Sequence, residues 1–131
     1  MEKTNFENLE IYQLSEKLSD EIWQIVSKWT ILAQDTVGKQ IIRSTDGIGA
    51  NIAEGSERGT ALDNRRFLRM ARGSLYETRH WLRRAHKRNL LSSEQTASLS
   101  PIIKQLTPKL NSHIRTVDET IKKIISTRNS L

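Results

Sequence analysis

The chain holds 131 residues, with 21 Lys+Arg against 15 Asp+Glu, a formal charge of +6 and no cysteine. The lack of cysteine excludes disulfides, thiolate nucleophiles and thiolate metal sites, and suits a reducing cytoplasm. The length predicts one domain over residues 1–131, long enough to bury about 65–70% of its unfolded surface, and the basic excess favours anionic partners.

Apolar residues recur at helical spacing almost throughout, and no segment alternates as a strand would. A first helix is predicted over about residues 8–31, with Asn8 as N-cap and a stripe of Ile11, Leu14, Leu18, Ile22, Ile25 and Trp29. A short turn at Ala33, Gln34 and Asp35 leads to a second helix over about 36–54, capped by Asp35 or Thr36. Its seam is Ile41, Thr45, Ile48 and Ile52. Gly38, Gly47 and Gly49 each cost about 1 kcal/mol against alanine, so they predict close helix packing or a frayed last turn. Gly55 is expected to stop the helix in a left-handed C′ conformation.

The third helix is predicted over about 61–88, with Thr60 available as its cap and Asn89 ending it. Its seam, Leu68, Ala71, Leu75, Thr78, Leu82 and Ala85, steps by three and four as in bundle packing. Ala71, Gly73 and Ser74 are small enough to admit a neighbouring helix. A fourth helix is expected over about 93–126, capped by Ser93, with a kink or short break near Pro101 or Pro108. Leu106, Leu110, Ile114, Val117, Ile121 and Ile124 form its stripe, and the tail STRNSL reads as frayed. Together these elements predict an all-α, antiparallel up-down-up-down four-helix bundle with a kinked fourth helix. The opening MEKTNFENLEIYQ has no apolar signal-peptide core. No apolar run approaches the roughly 20 residues of a membrane span, so a cytoplasmic protein without a membrane partner is expected.

The chemistry of catalysis is poorly represented. His80, His86 and His113 are the histidines, and no Glu-x-x-His pair occurs, so no metal or cofactor is expected. No serine lies in a Gly-x-Ser-x-Gly elbow. The segment GSERGT lacks the phosphate-cradling pattern and its preceding strand. Glu54 and Glu57 beside a glycine turn read as solvated or capping groups. A non-enzymatic protein is the expectation.

Positive charge gathers instead in the third helix. Between Arg58 and Arg88 the acids are Asp63 and Glu77 alone. Arg65, Arg69, Arg72, Arg79 and Arg83 align on one stripe with Tyr76 in the gap. Arg66, His80, Arg84 and Lys87 broaden it. Three readings fit: a solvated face paired with acids on a neighbouring helix or subunit, such as Glu10, Glu16 and Asp20; a subunit or partner interface; or a phosphate-binding stripe with a stacking tyrosine. Trp23 and Trp81 fall off the seams, which predicts a second buried contact and self-association.

The segments FENLEIYQLSEKL, QIIRSTDGIGANIAEGSERG and RRFLRMARGSLYET resemble small four-helix-bundle proteins encoded in intervening sequences of bacterial large-subunit (23S) ribosomal RNA genes. Ile48, Asn51, Ile52, Ala53, Glu54, Gly55 and Arg58 carry the first part of the resemblance. Phe67, Leu68, Ala71, Gly73, Ser74, Leu75 and Glu77 carry the second. Gly49 stands where that family has proline, Ala61-Leu62-Asp63-Asn64 replaces its usual third-helix opening, and Thr78-Arg79-His80-Trp81-Leu82 turns an acidic face basic. The resemblance implies a ring-like homopentamer without established enzymatic activity. More distantly, the accessory protein of diversity-generating retroelements implies binding of RNA or DNA, and of a reverse transcriptase, from a basic surface. Asn51, Glu54 and Arg58 are expected to lock the turn and the helix crossing, with Glu54 and Arg58 paired.

Overall fold

The computed structural model describes residues 5–130, so Met1–Thr4 and Leu131 of the expected 1–131 domain lie outside the described residues. A short 3-10 turn, Phe6–Asn8, precedes α1 (Glu10–Val26). Asn8 therefore belongs to the turn and Leu9 is the N-cap, without a side-chain bond. α1 ends earlier than its sequence suggests. Gln34 Nε2 reaches back to the carbonyls of Val26 and Ser27 at 3.1 and 3.2 Å, satisfying acceptors that the helix end leaves open.

Ala33, Gln34 and Asp35, expected as a turn, are helical. The short helix α2 (Ile31–Ala33), capped by Thr30, runs through a π-helical segment (Gln34–Gly38) into α3 (Lys39–Glu57). Thr36 does not cap, because its hydroxyl donates to the Leu32 carbonyl at 2.7 Å. Gly55 is helical and buried rather than a left-handed stop, since no glycine has positive φ among the described residues. Its role is close approach: a Cβ there would meet Asn64 Oδ1 and Phe67 Cβ at 2.9 Å.

Thr60 caps α4 (Ala61–Lys87) as expected, accepting from the Asp63 amide at 3.1 Å, and Asn89 closes it at φ 59°. α5 (Ser93–Ser130) is capped by Ser92 rather than Ser93, in a reciprocal box with Gln95 at 3.0 and 2.9 Å. α5 runs unbroken through both prolines. Pro101 and Pro108 are exposed, as are Ala97 and Lys104 four residues before them, so water can serve the carbonyls that lose a donor. The tail is helical to Ser130, and Ile124 is exposed, so the buried stripe ends at Ile121.

The described residues thus form an all-α helical bundle without strands. Contacts of α5 with α1 and with α4 run in reversed chain order. Glu10 meets Lys109 and Glu21 meets Ser98 between α1 and α5; Arg65 meets Asp118 and Arg72 meets Asn111 between α4 and α5. One contiguous core joins Leu18, Ile48, Ile52, Leu75, Leu106 and Leu110, all fully buried. Shortening any of these to alanine would cost about 2–5 kcal/mol. Between α3 and α4 the buried hydroxyls share bonds: Thr78 Oγ1 lies 3.0 Å from Ser44 Oγ and 2.8 Å from the Ser74 carbonyl. Gly47 admits Ser74, whose Oγ would stand 3.1 Å from an added Cβ.

Candidate nucleic-acid interface

The core seam of α4 fixes which residues face water. Positions two residues off the seam lie about 200° around the helix. They make a second line: Arg66, Arg69, Gly73, Tyr76, His80, Arg83 and Lys87, every one exposed. Arg65, Arg72 and Arg79 each stand one residue before a member of that line, about 100° round, on the side facing α5. The single arginine stripe read from spacing is therefore two stripes with different surroundings.

The α5-facing stripe changes character along its length. Arg65 Nη1 donates to Asp118 Oδ1 at 3.0 Å, with side chains only 27% and 28% exposed. Arg69 reaches the same carboxylate at 3.8 Å. One heptad on, Arg72 donates to Asn111 Oδ1 at 3.2 Å. The partner has changed from an acid to a neutral amide. A further seven-residue step brings Arg79 to the groove that Lys104 also lines. Like charges meet there, and no carboxylate lies within 4 Å of Arg79, Arg83, Arg84 or Lys87 among the described residues. Among the described residues the α4 arginines pair with none of Glu10, Glu16 and Asp20; Glu10 takes Lys109, and the neighbouring-helix acid that Arg65 and Arg69 meet is Asp118.

Arg79 and Arg83 form a ridge between two hollows. On the α5 side is a groove of about 340 Å³, floored by Leu82, Leu91, Leu99 and Ile103. On the outer side, Tyr76 and His80 complete a shallow hollow of about 520 Å³ with the same two arginines. Tyr76 is 49% exposed. His80 meets Trp81 edge to face at 4.9 Å, and Trp81, half-buried, packs against the core with its Nε1 unbonded. Leu99, Ile103 and Lys104 carried no signal beside the arginines in sequence, because α5 brings them in from later in the chain, whereas Leu82 belongs to the α4 seam itself. The outer line was legible, since it follows from the seam.

The signature residues divide in the same way. Arg58 Nη2 bonds Glu54 Oε1 at 2.6 Å, but the pair lies on the exposed end of α3, where it adds about 0.3–0.5 kcal/mol. The crossing itself is held by apolar and cation–π contact. The guanidinium carbons of Arg58 and Arg66 lie 5.0 and 4.5 Å from the Phe67 ring centroid. Asn51 bonds only within its helix, to the Gly47 carbonyl at 2.9 Å. Ser74 faces Gly47 across the helix pair, whereas Gly73 faces open space, with nothing within 4 Å of an added Cβ. Glu77 is exposed on the outer face. Trp23, 57% exposed, lines a hollow with Val26, Gln34 and Ile42, and Ile31 and Leu32 are each 76% exposed on α2.

Shifted titrations fall elsewhere. Burial, with Glu16 and Glu7 beside it, raises the Tyr12 phenol, and burial lowers His113. No group of three acidic or imidazole side chains could hold a metal ion among the described residues, and no helix there is long and apolar enough to cross a membrane.

A crystal structure of a protein of unknown function from the S23 ribosomal protein family of Bacteroides thetaiotaomicron shares this fold. The TM-score is 0.70 at 24% sequence identity, over 79% of this chain and 97% of that one. A comparison with curated proteins returns no match. Residues 7–112, which include both signature blocks, match the model of the 23S rRNA-intervening sequence proteins, and the chain belongs to that family.

Proposed function

We propose that the protein is a non-enzymatic, self-associating bundle of the cytoplasm that binds RNA or DNA through the C-terminal half of α4. The observation that carries this reading is the absence of acidic partners for Arg79, Arg83, Arg84 and Lys87 among the described residues. Arg79, Arg83 and Lys87 are exposed and Arg84 is half-buried, and cations left without acidic partners on such a face are the electrostatic footprint of a phosphate site. The same reading takes the chain as one up-down-up-down domain with a bend at Pro101 or Pro108. The reversed contact order and single core support its topology. The exposed Trp23, Ile31 and Leu32 support self-association, and the family resemblance suggests a pentamer.

The test is titration of structured RNA and duplex DNA across a salt series. Binding that weakens steeply with salt is expected. No binding at low salt, or affinity indifferent to salt, overturns the reading. A second reading makes the basic ridge a contact with another subunit or with a nucleic-acid enzyme such as a reverse transcriptase. It draws on the exposed apolar side chains Trp23, Ile31 and Leu32. It requires that Arg79→Gln with Arg83→Gln change the elution volume on a sizing column, whereas the first reading leaves assembly intact.

A further inference from the structure

Resting on the nucleic-acid reading above, we infer that this surface takes unpaired nucleotides of a single strand rather than a duplex. Phosphates lie along the Arg79–Arg83 ridge and bases enter the hollows on its two sides. Both arginines line both hollows, so a chain tracking the ridge meets them together. The α5-side groove offers an apolar floor with a cationic rim that includes Lys104. Its volume, about 340 Å³, is at the lower end of small-ligand sites.

A duplex presents phosphates while its base faces stay stacked inside, so it would use the rim and leave the floor empty. A single strand carries anionic phosphates and planar apolar faces in alternation, which is the complement of this surface. On the outer side Tyr76 supplies a ring for stacking, flanked by two guanidiniums that add cation–π attraction to a base. Gly73 stands one helical turn before Tyr76 on the same exposed line, and nothing inside the protein requires its missing side chain. A helical glycine costs about 1 kcal/mol against alanine, and here it leaves the backbone open for a ligand lying against Tyr76.

The experiment uses fluorescence anisotropy of the full chain at one fixed salt concentration. The probes are a labelled single strand of pyrimidines, a duplex containing it, and an abasic strand of the same length and charge. The single strand should bind about tenfold or more tightly than the abasic strand, the loss typical of one stacked base. Tyr76→Ala should abolish that preference and Tyr76→Phe should retain it, with melting curves checking that both fold. Leu91→Gln tests the α5-side hollow in the same way. Equal affinity for all three probes, unchanged by Tyr76→Ala, overturns this inference while leaving nucleic-acid binding intact. No binding of any of the three probes, with that fixed salt concentration set low, overturns both.

Discussion

Arg65 and Arg79 stand two heptads apart on the same side of α4, and their surroundings are opposite. Arg65 is held by Asp118, while Arg79 meets a groove lined by Lys104. The register of α4 against α5 is regular, so the difference comes entirely from what α5 presents at each step: an aspartate, an asparagine, then a lysine. A cationic helix can thus be structural glue in one half and an unsatisfied surface in the other, with no change in its own sequence character. Charge density along one helix does not reveal function until the facing residues are known.

The contrast breaks most sharply through the ridge itself. Arg79→Gln with Arg83→Gln should lower affinity for nucleic acid by about tenfold or more and cut the salt slope by about 0.7 per lost phosphate contact on a single strand. Arg65→Gln with Arg72→Gln should change binding far less and stability more, as read by parallel titrations and thermal melts. Lys104→Glu should convert the open half into a copy of the tethered half. With a carboxylate supplied to Arg79, affinity should fall several-fold, and melting should rise by no more than an exposed ion pair gives, about 0–1 kcal/mol.

Asp118→Asn releases the two guanidiniums of the closed half, at a cost of about 1 kcal/mol for that partly buried pair. That appears as a fall in Tm of about 4 °C, with nucleic-acid binding unchanged or slightly tighter. Gly73→Ala should stabilise the bundle by about 0.4–1 kcal/mol, because the site is open and alanine favours the helix. If the same variant binds single strands more weakly, the glycine serves the surface. The smallest effect concerns acid. Burial lowers the His113 pKa, so the unfolded chain binds more protons as pH falls below about 6.5. Stability is full above that value and declines as pH drops toward the folded-state pKa. His113→Gln should flatten that decline in melts between pH 7 and pH 5.

Much of the fold was legible because it rests on periodicity. The α4 seam from Leu68 to Ala85 is buried except for the partly covered Leu82, and Thr45 and Thr78 are inside as their spacing predicts. Caps were legible where a single side chain decides them, as at Thr60. They were missed where a second side chain takes part: Gln34 bonds the Val26 carbonyl at the end of α1, and Gln95 exchanges bonds with Ser92 rather than Ser93. Gly55 was misread because turn chemistry and close helix approach ask for the same residue, and only the positions of Asn64 and Phe67 separate them.

The sequence by itself determined four long helical stretches, most of their buried seams and the concentration of arginine on α4. These are local properties, set by side-chain chemistry at a period of about 3.6 residues. The tertiary structure decided which arginines are spent and which are available. That depends on residues of α5, distant in sequence, whose register against α4 is fixed by the shared core rather than by the charges themselves.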